Sequence, residues 1–137
     1  MRHILMVSFL LLILNLAGCT SVFMLEDVKK GEGQHVIYDM PPMTMAVIAQ
    51  KAFVALGLVV KRVNYKTERI EVLGYQPEDF AEQGSIYGLY IYKLGDNDSE
   101  IYVVRKNRYP TEAFARDARQ DLFQKLDELV LAHRGES

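Results

Sequence analysis

The chain has one cysteine, Cys19, which excludes an internal disulfide. It also has no surplus of positive charge. Its 16 basic and 18 acidic side chains give a formal net charge of −2, without the basic excess that marks a polyanion-binding protein. Beyond residue 14 no apolar run approaches the roughly 20 residues needed to span a bilayer. What is present points to one folded unit. The 137 residues are 50% hydrophobic, too apolar for disorder, and their number suits a single domain.

Residues 1–18 have the layout of a secretory signal, with Arg2 and His3 preceding an apolar run from Ile4 to Leu14. Leu16-Ala17-Gly18-Cys19 resembles the bacterial lipobox. That resemblance implies a diacylglyceryl group on the Cys19 thiol, cleavage before Cys19, and acylation of the new amino group. Two or three acyl chains hold a protein on a membrane where one does not, each buried methylene contributing about 0.8 kcal/mol. Thr20, not aspartate, follows the cysteine. By analogy with Gram-negative sorting, this predicts an outer-membrane anchor facing the periplasm. Without Arg2 the remaining chain has 15 basic and 18 acidic side chains, a net of −3. Residues 19–33 read as the lipidated N-terminus and a tether, in which Val22, Phe23, Met24 and Leu25 could form a short helix or lie against the body, and residues 34–134 read as a single α+β domain.

Within that domain, His35–Asp39 reads as a strand ended by Pro41-Pro42, which also suits a helix start. Met45, Ile48, Ala49, Ala52, Phe53 and Leu56 fall on one face of the following helix, and Gly57 sits where a left-handed cap belongs. Four extended stretches follow: 58–65, 69–75, 86–94 and 100–106. Lys66-Thr67-Glu68 joins the first two, and the turn cluster of residues 95–99 joins the last two. Pro110 is placed to open the last helix, with Glu112 in its first turn. Ala115, Ala118, Leu122, Phe123, Leu126, Leu129 and Val130 form its apolar stripe, and Asp121 and Lys125 are spaced to pair. The order β-α-β-β-β-β-α predicts a two-layer α+β sandwich, an antiparallel sheet with both helices on one face.

Alternation in 86–94 sends Tyr87, Leu89 and Ile91 one way and Tyr90 and Tyr92 the other. With the first set beneath the helices, Tyr90 and Tyr92, joined by Tyr75 and Tyr102, lie on the opposite face as a candidate contact surface. Cross-strand pairing that only stiffens the sheet is the plainer reading. Gly88 permits a bulge or a close approach, with packing the simpler role.

Signals for chemistry are sparse. Asp96-Asn97-Asp98-Ser99-Glu100 resembles the start of a calcium loop, but Ile101 replaces the turn glycine and Asn107 the bidentate glutamate. The Gly31–Gly33 triplet is too short for a phosphate loop. His35 and His133 lie on separate elements without a ligand motif, and Glu78, Asp79 and Glu82 read as a solvated loop. Arg105-Lys106-Asn107-Arg108-Tyr109 is a local basic patch, suited to lipid phosphates or to guarding a strand end. No metal, cofactor or catalytic residue is expected.

The lipobox, the Tyr38-Asp39-x-Pro start, the helix ending Ala55-Leu56-Gly57-Leu58, the strand pairs and the closing helix together resemble small uncharacterised bacterial lipoproteins with a domain of unknown function. More distantly, the layout is similar to the helix-grip domains of a lipoprotein component of the outer-membrane β-barrel assembly machine. The resemblance implies no catalytic residues. The expected role is a non-enzymatic, membrane-tethered interaction module for an envelope protein, using a sheet edge or the tyrosine face. The alternative is a carrier or sensor of an apolar ligand, held in a cavity lined by Phe53, Leu56, Leu122 and Leu126.

Overall fold

A computed structural model of the chain describes residues 25–26, 28–31, 33–77, 84–107 and 116–135. The lipobox residues Leu16, Ala17, Gly18 and Cys19 lie outside the described residues, as do Glu78, Asp79, Glu82 and residues 108–115. The elements are β1 (Gln34–Tyr38), α1 (Pro42–Ala55), β2 (Val59–Tyr65), β3 (Arg69–Tyr75), β4 (Ile86–Lys93), β5 (Ser99–Lys106) and α2 (Arg119–Gly135). Among the described residues no helix is long and apolar enough to cross a membrane.

The fold is α+β in the predicted order, with one five-stranded antiparallel sheet ordered β1-β5-β4-β3-β2. β2 to β5 form a meander, and β1 closes against β5 with Val36 opposite Ile101. The two ends of α1 therefore connect opposite edges of the sheet. Both helices cover the same face. Met45, Ile48, Ala49, Ala52 and Phe53 of α1 share one core with Leu122, Phe123, Leu126 and Val130 of α2 and with Val72, Tyr87, Leu89, Ile91, Ile101 and Val103 of the sheet.

The ends of α1 follow from its flanking residues. Pro41, extended, precedes Pro42 in the first turn, where a missing N–H costs nothing. At the other end the Gly57 N–H donates to the Val54 carbonyl and the Leu58 N–H to the Phe53 carbonyl, which is a Schellman closure. It requires the left-handed conformation that Gly57 adopts at φ 75°.

α2 begins later than Pro110 predicts. Arg116, Asp117 and Ala118 are not helical, and the first helical bond runs from the Leu122 N–H to the Ala118 carbonyl. The Tyr87 hydroxyl, reaching up from β4, accepts the Ala118 N–H at 3.1 Å, while Asp117 accepts the Arg119 N–H at 3.0 Å. These two bonds satisfy donors that a longer helix would have paired internally. The expected Asp121–Lys125 pair is also corrected. Asp121 pairs with Arg116 and Lys125 with Glu128, both at 2.7 Å.

For Leu25, the reading that this segment lies against the body is the one observed. Leu25 and Val28 are buried, and they pack with Leu73, Ile86, Tyr90, Tyr92 and Tyr102 in a second apolar cluster on the sheet face away from the helices. Residues 25–26 and 28–31 thus act as a strap over the sheet, and the folded unit includes residues before 34. β4 is buried on both faces for this reason.

Candidate functional site

Two surfaces hold the features that can serve recognition: the strapped aromatic face and the open edge at β1.

Cross-strand register builds the first. Asn64, Glu71, Tyr90, Tyr102 and His35 are successive partners across the sheet and share one face, and Arg69, Tyr92 and Glu100 form the next row. The predicted alternation is therefore correct, and Tyr90, Tyr92 and Tyr102 lie opposite the helices, with Tyr75 half-buried at the margin of the same cluster. The expectation of an open contact surface is not met. Tyr90, Tyr92 and Tyr102 are 1%, 8% and 7% exposed, because the strap covers them. A sheet face this apolar gains by burial, and Leu25 and Val28 supply the cover.

Arg69 binds the strap to the sheet. Its guanidinium donates to the backbone carbonyls of Glu26 and Val28, to the Tyr92 hydroxyl at 2.9 Å and to Glu71 Oε2 at 2.8 Å. It also lies 4.5 Å from the Tyr90 ring centroid, a favourable cation–π placement. Glu71 is fully buried, flanked by Arg69, Lys66 at 3.0 Å and the Asn64 amide at 3.0 Å. Burial alone pushes the Glu71 carboxyl up. The hydrogen bonds from Asn64 and Lys66 and the charge of Arg69 outweigh it and hold the group below its ordinary range. The strap is tied further by the Tyr90 hydroxyl, which donates to the Leu25 carbonyl, and by Glu26, which pairs with Arg62 at 3.2 Å.

Gly88 makes this arrangement fit. A Cβ there would collide with the Tyr90 ring and hydroxyl, so the glycine is a packing residue that lets Tyr90 fold back toward Leu25. Gly88→Ala is expected to cost about 1–3 kcal/mol by overpacking. Urea denaturation measures it, and an unchanged midpoint would contradict the close approach.

The second surface is the β1 edge. Among the described residues β1 pairs only with β5, and no described strand takes the backbone groups of its other side. The strand Gln34-His35-Val36-Ile37-Tyr38 has no charged side chain, and Ile37 is 61% exposed. The opposite edge is guarded, since β2 contains Lys61 and Arg62 and a register shift between Val60 and Arg62. α2 runs beside β1, held by Gln120 to Gln34 at 2.7 Å and by the Tyr38 hydroxyl donating to Asp127 at 2.8 Å. Burial and the Asp127 carboxylate together push the Tyr38 phenol well up, so it stays a donor. Between strand and helix runs a groove of about 420 Å³, lined by Val36, Ile37 and Tyr38 and by Asp127, Val130 and Leu131. An Asp39–Arg134 ion pair closes one end. Leu131 is 65% exposed and faces this groove.

The remaining candidates carry less. Phe53, Leu122 and Leu126 are fully buried and Leu56 packs against them, and none of the three clefts described opens between them. The largest of those clefts, about 720 Å³, lies between Lys29–Lys30 and the Lys66–Arg69 turn, with two of its cations already paired to Glu71. Asp96, Asn97 and Asp98 form an exposed turn in which Asp96 pairs with Lys93. His35 stacks on Tyr102 and His133 is exposed. Of the basic patch, Arg105 donates to Ser85, and Arg108 and Tyr109 lie outside the described residues. Among the described residues no three His, Cys, Asp or Glu side chains are grouped to hold a metal.

No protein-family model matches this chain, and no curated protein matches it.

The strap and its arginine have a signal in the sequence. Arg69 and Glu71 alternate within an apolar strand, on the face that carries Tyr75, and Leu25 and Val28 stand three residues apart ahead of the glycines. A charged pair inside a strand is costly to bury unless each partner is satisfied, so its presence points to an additional covering element.

Proposed function

We propose that this chain is a lipid-anchored envelope protein, held on the outer membrane through Cys19 and facing the periplasm of a Gram-negative host, where it acts as a non-enzymatic protein-interaction module. The observation that carries the reading is the uncharged, unguarded β1 edge beside an apolar groove. Natural sheets guard such edges unless something pairs with them. The guarded β2 edge of the same sheet gives the contrast. The filled core supports this role over that of a carrier.

The strap adds a distance. Six peptide units separate Cys19 from Leu25, where the chain meets the sheet, so the domain stays within about 20 Å of its anchor. A partner is then a protein at or near the same membrane surface.

A photo-crosslinking amino acid placed at Ile37 or at Lys61, in intact cells, tests the reading. A discrete adduct from position 37 and none from position 61 is expected. Equal labelling from both edges, or none from either, would remove the β1 edge as the functional surface.

A further inference from the structure

The chemistry of the β1 groove specifies what it accepts, an inference that rests on the interaction reading above. We infer that the groove between β1 and α2 takes a single extended segment of an envelope protein as an added antiparallel strand, apolar at alternate positions and with a lysine or arginine at its N-terminal end.

Three features lead there. The outer side of β1 offers only backbone donors and acceptors along the strand, and the ligand that matches such a row is another extended backbone. Antiparallel addition is the more stable ladder and continues the pattern of the whole sheet. On the helix side the added strand lies against Val36, Val130 and Leu131, so the side chains that point there are apolar. Beyond Tyr38 the groove ends at two carboxylates, Asp39 and Asp127, against one guanidinium, Arg134. A strand antiparallel to β1 brings its N-terminal end to these acids, and a basic residue there matches the surplus negative charge. A second copy of the chain matches less well. Two β1 strands paired about Val36 would set the uncharged Gly33 opposite Asp39.

The test uses the purified full chain in detergent and a fluorescent peptide, a lysine followed by alternating valine and threonine, about six residues long. Saturable binding by fluorescence polarisation is expected. It should weaken about tenfold when glutamate replaces the leading lysine, and about tenfold in Leu131→Asp, an exposed position whose circular dichroism should match the parent. A peptide N-methylated at alternate residues should not bind. Equal binding of the methylated peptide would overturn strand addition, and equal binding to Leu131→Asp would place the peptide elsewhere. A sedimenting dimer that dissociates in Ile37→Lys would make a second copy the occupant. Absence of any peptide binding also overturns the inference. If position 37 still crosslinks in cells, the interaction reading survives that failure, and if it does not, both fall.

Discussion

Replacing Arg69 with alanine is expected to destabilise the chain by about 3 kcal/mol, at the low end of the range for breaking a buried ion pair. The loss has two sources. Glu71 is fully buried, and without Arg69 its partners among the described residues are Asn64 and the half-exposed Lys66. The strap meanwhile loses the donor that holds the Glu26 and Val28 carbonyls. Lys66 is the reason for choosing the low end, since one opposite charge remains beside the carboxylate. Chemical denaturation of the variant measures the effect. Removing both charges, in Arg69→Met with Glu71→Leu, should recover most of the loss, because two apolar side chains need no partner there. A double variant as unstable as Arg69→Ala would show that the strap contacts, and not the stranded carboxylate, dominate.

The same pair sets a dependence on acid. Glu71 titrates below its ordinary range in the folded chain, so through that window the unfolded chain binds more protons than the folded one. The stabilisation is therefore complete above the unfolded carboxylate pKa and is lost as pH falls through the folded one. Asp117, lowered chiefly by its hydrogen bond with Arg119, acts in the same direction at the start of α2. Denaturation midpoints measured from neutral pH downward should fall, and Glu71→Gln should flatten part of that fall. An identical slope in the two proteins would contradict the assignment.

The second large effect is expected at Leu25. Leu25→Ala should cost about 3 kcal/mol, as for leucines truncated in a packed core. Its side chain is fully buried against the tyrosine face, and its carbonyl accepts the Tyr90 hydroxyl. The consequence is local as well as global. A loosened strap gives up its cover over Tyr90, Tyr92 and Tyr102, so their phenols should become reactive to solvent while the α1 and α2 core remains packed. Calorimetry reads the stability and oxidative labelling reads the exposure. A stability loss without tyrosine exposure would mean that the face re-covers itself.

The fold is largely legible in the sequence because its signals are local. The apolar stripe of α1, the Gly57 cap and the alternation in β4 are each set by a few neighbouring residues. Non-local contacts escape such a reading. The start of α2 depends on the Tyr87 hydroxyl, 31 residues away in sequence, which no proline or glutamate near residue 110 reveals. Leu25 carries two readings, tether or contact with the body, because the glycines that follow it break the pattern without preventing a short segment from folding back. For that reason alternation places the tyrosines on the correct face but with the wrong exposure. The β1 edge is the least visible feature. Strand order decides which strand is left unpaired, and strand order is a property of the whole sheet.

In the proposed role the chain covers its own aromatic face and leaves β1 as the surface for partners. Hydroxyl-radical footprinting of the membrane-bound protein tests it most directly, because Tyr65, 59% exposed on β2, provides an internal reference. Strong oxidation of Tyr65 is expected, with protection of Tyr90, Tyr92 and Tyr102. Oxidation of Tyr90 and Tyr92 at the rate of Tyr65 would contradict the claim, and would return the tyrosine face to the position of contact surface.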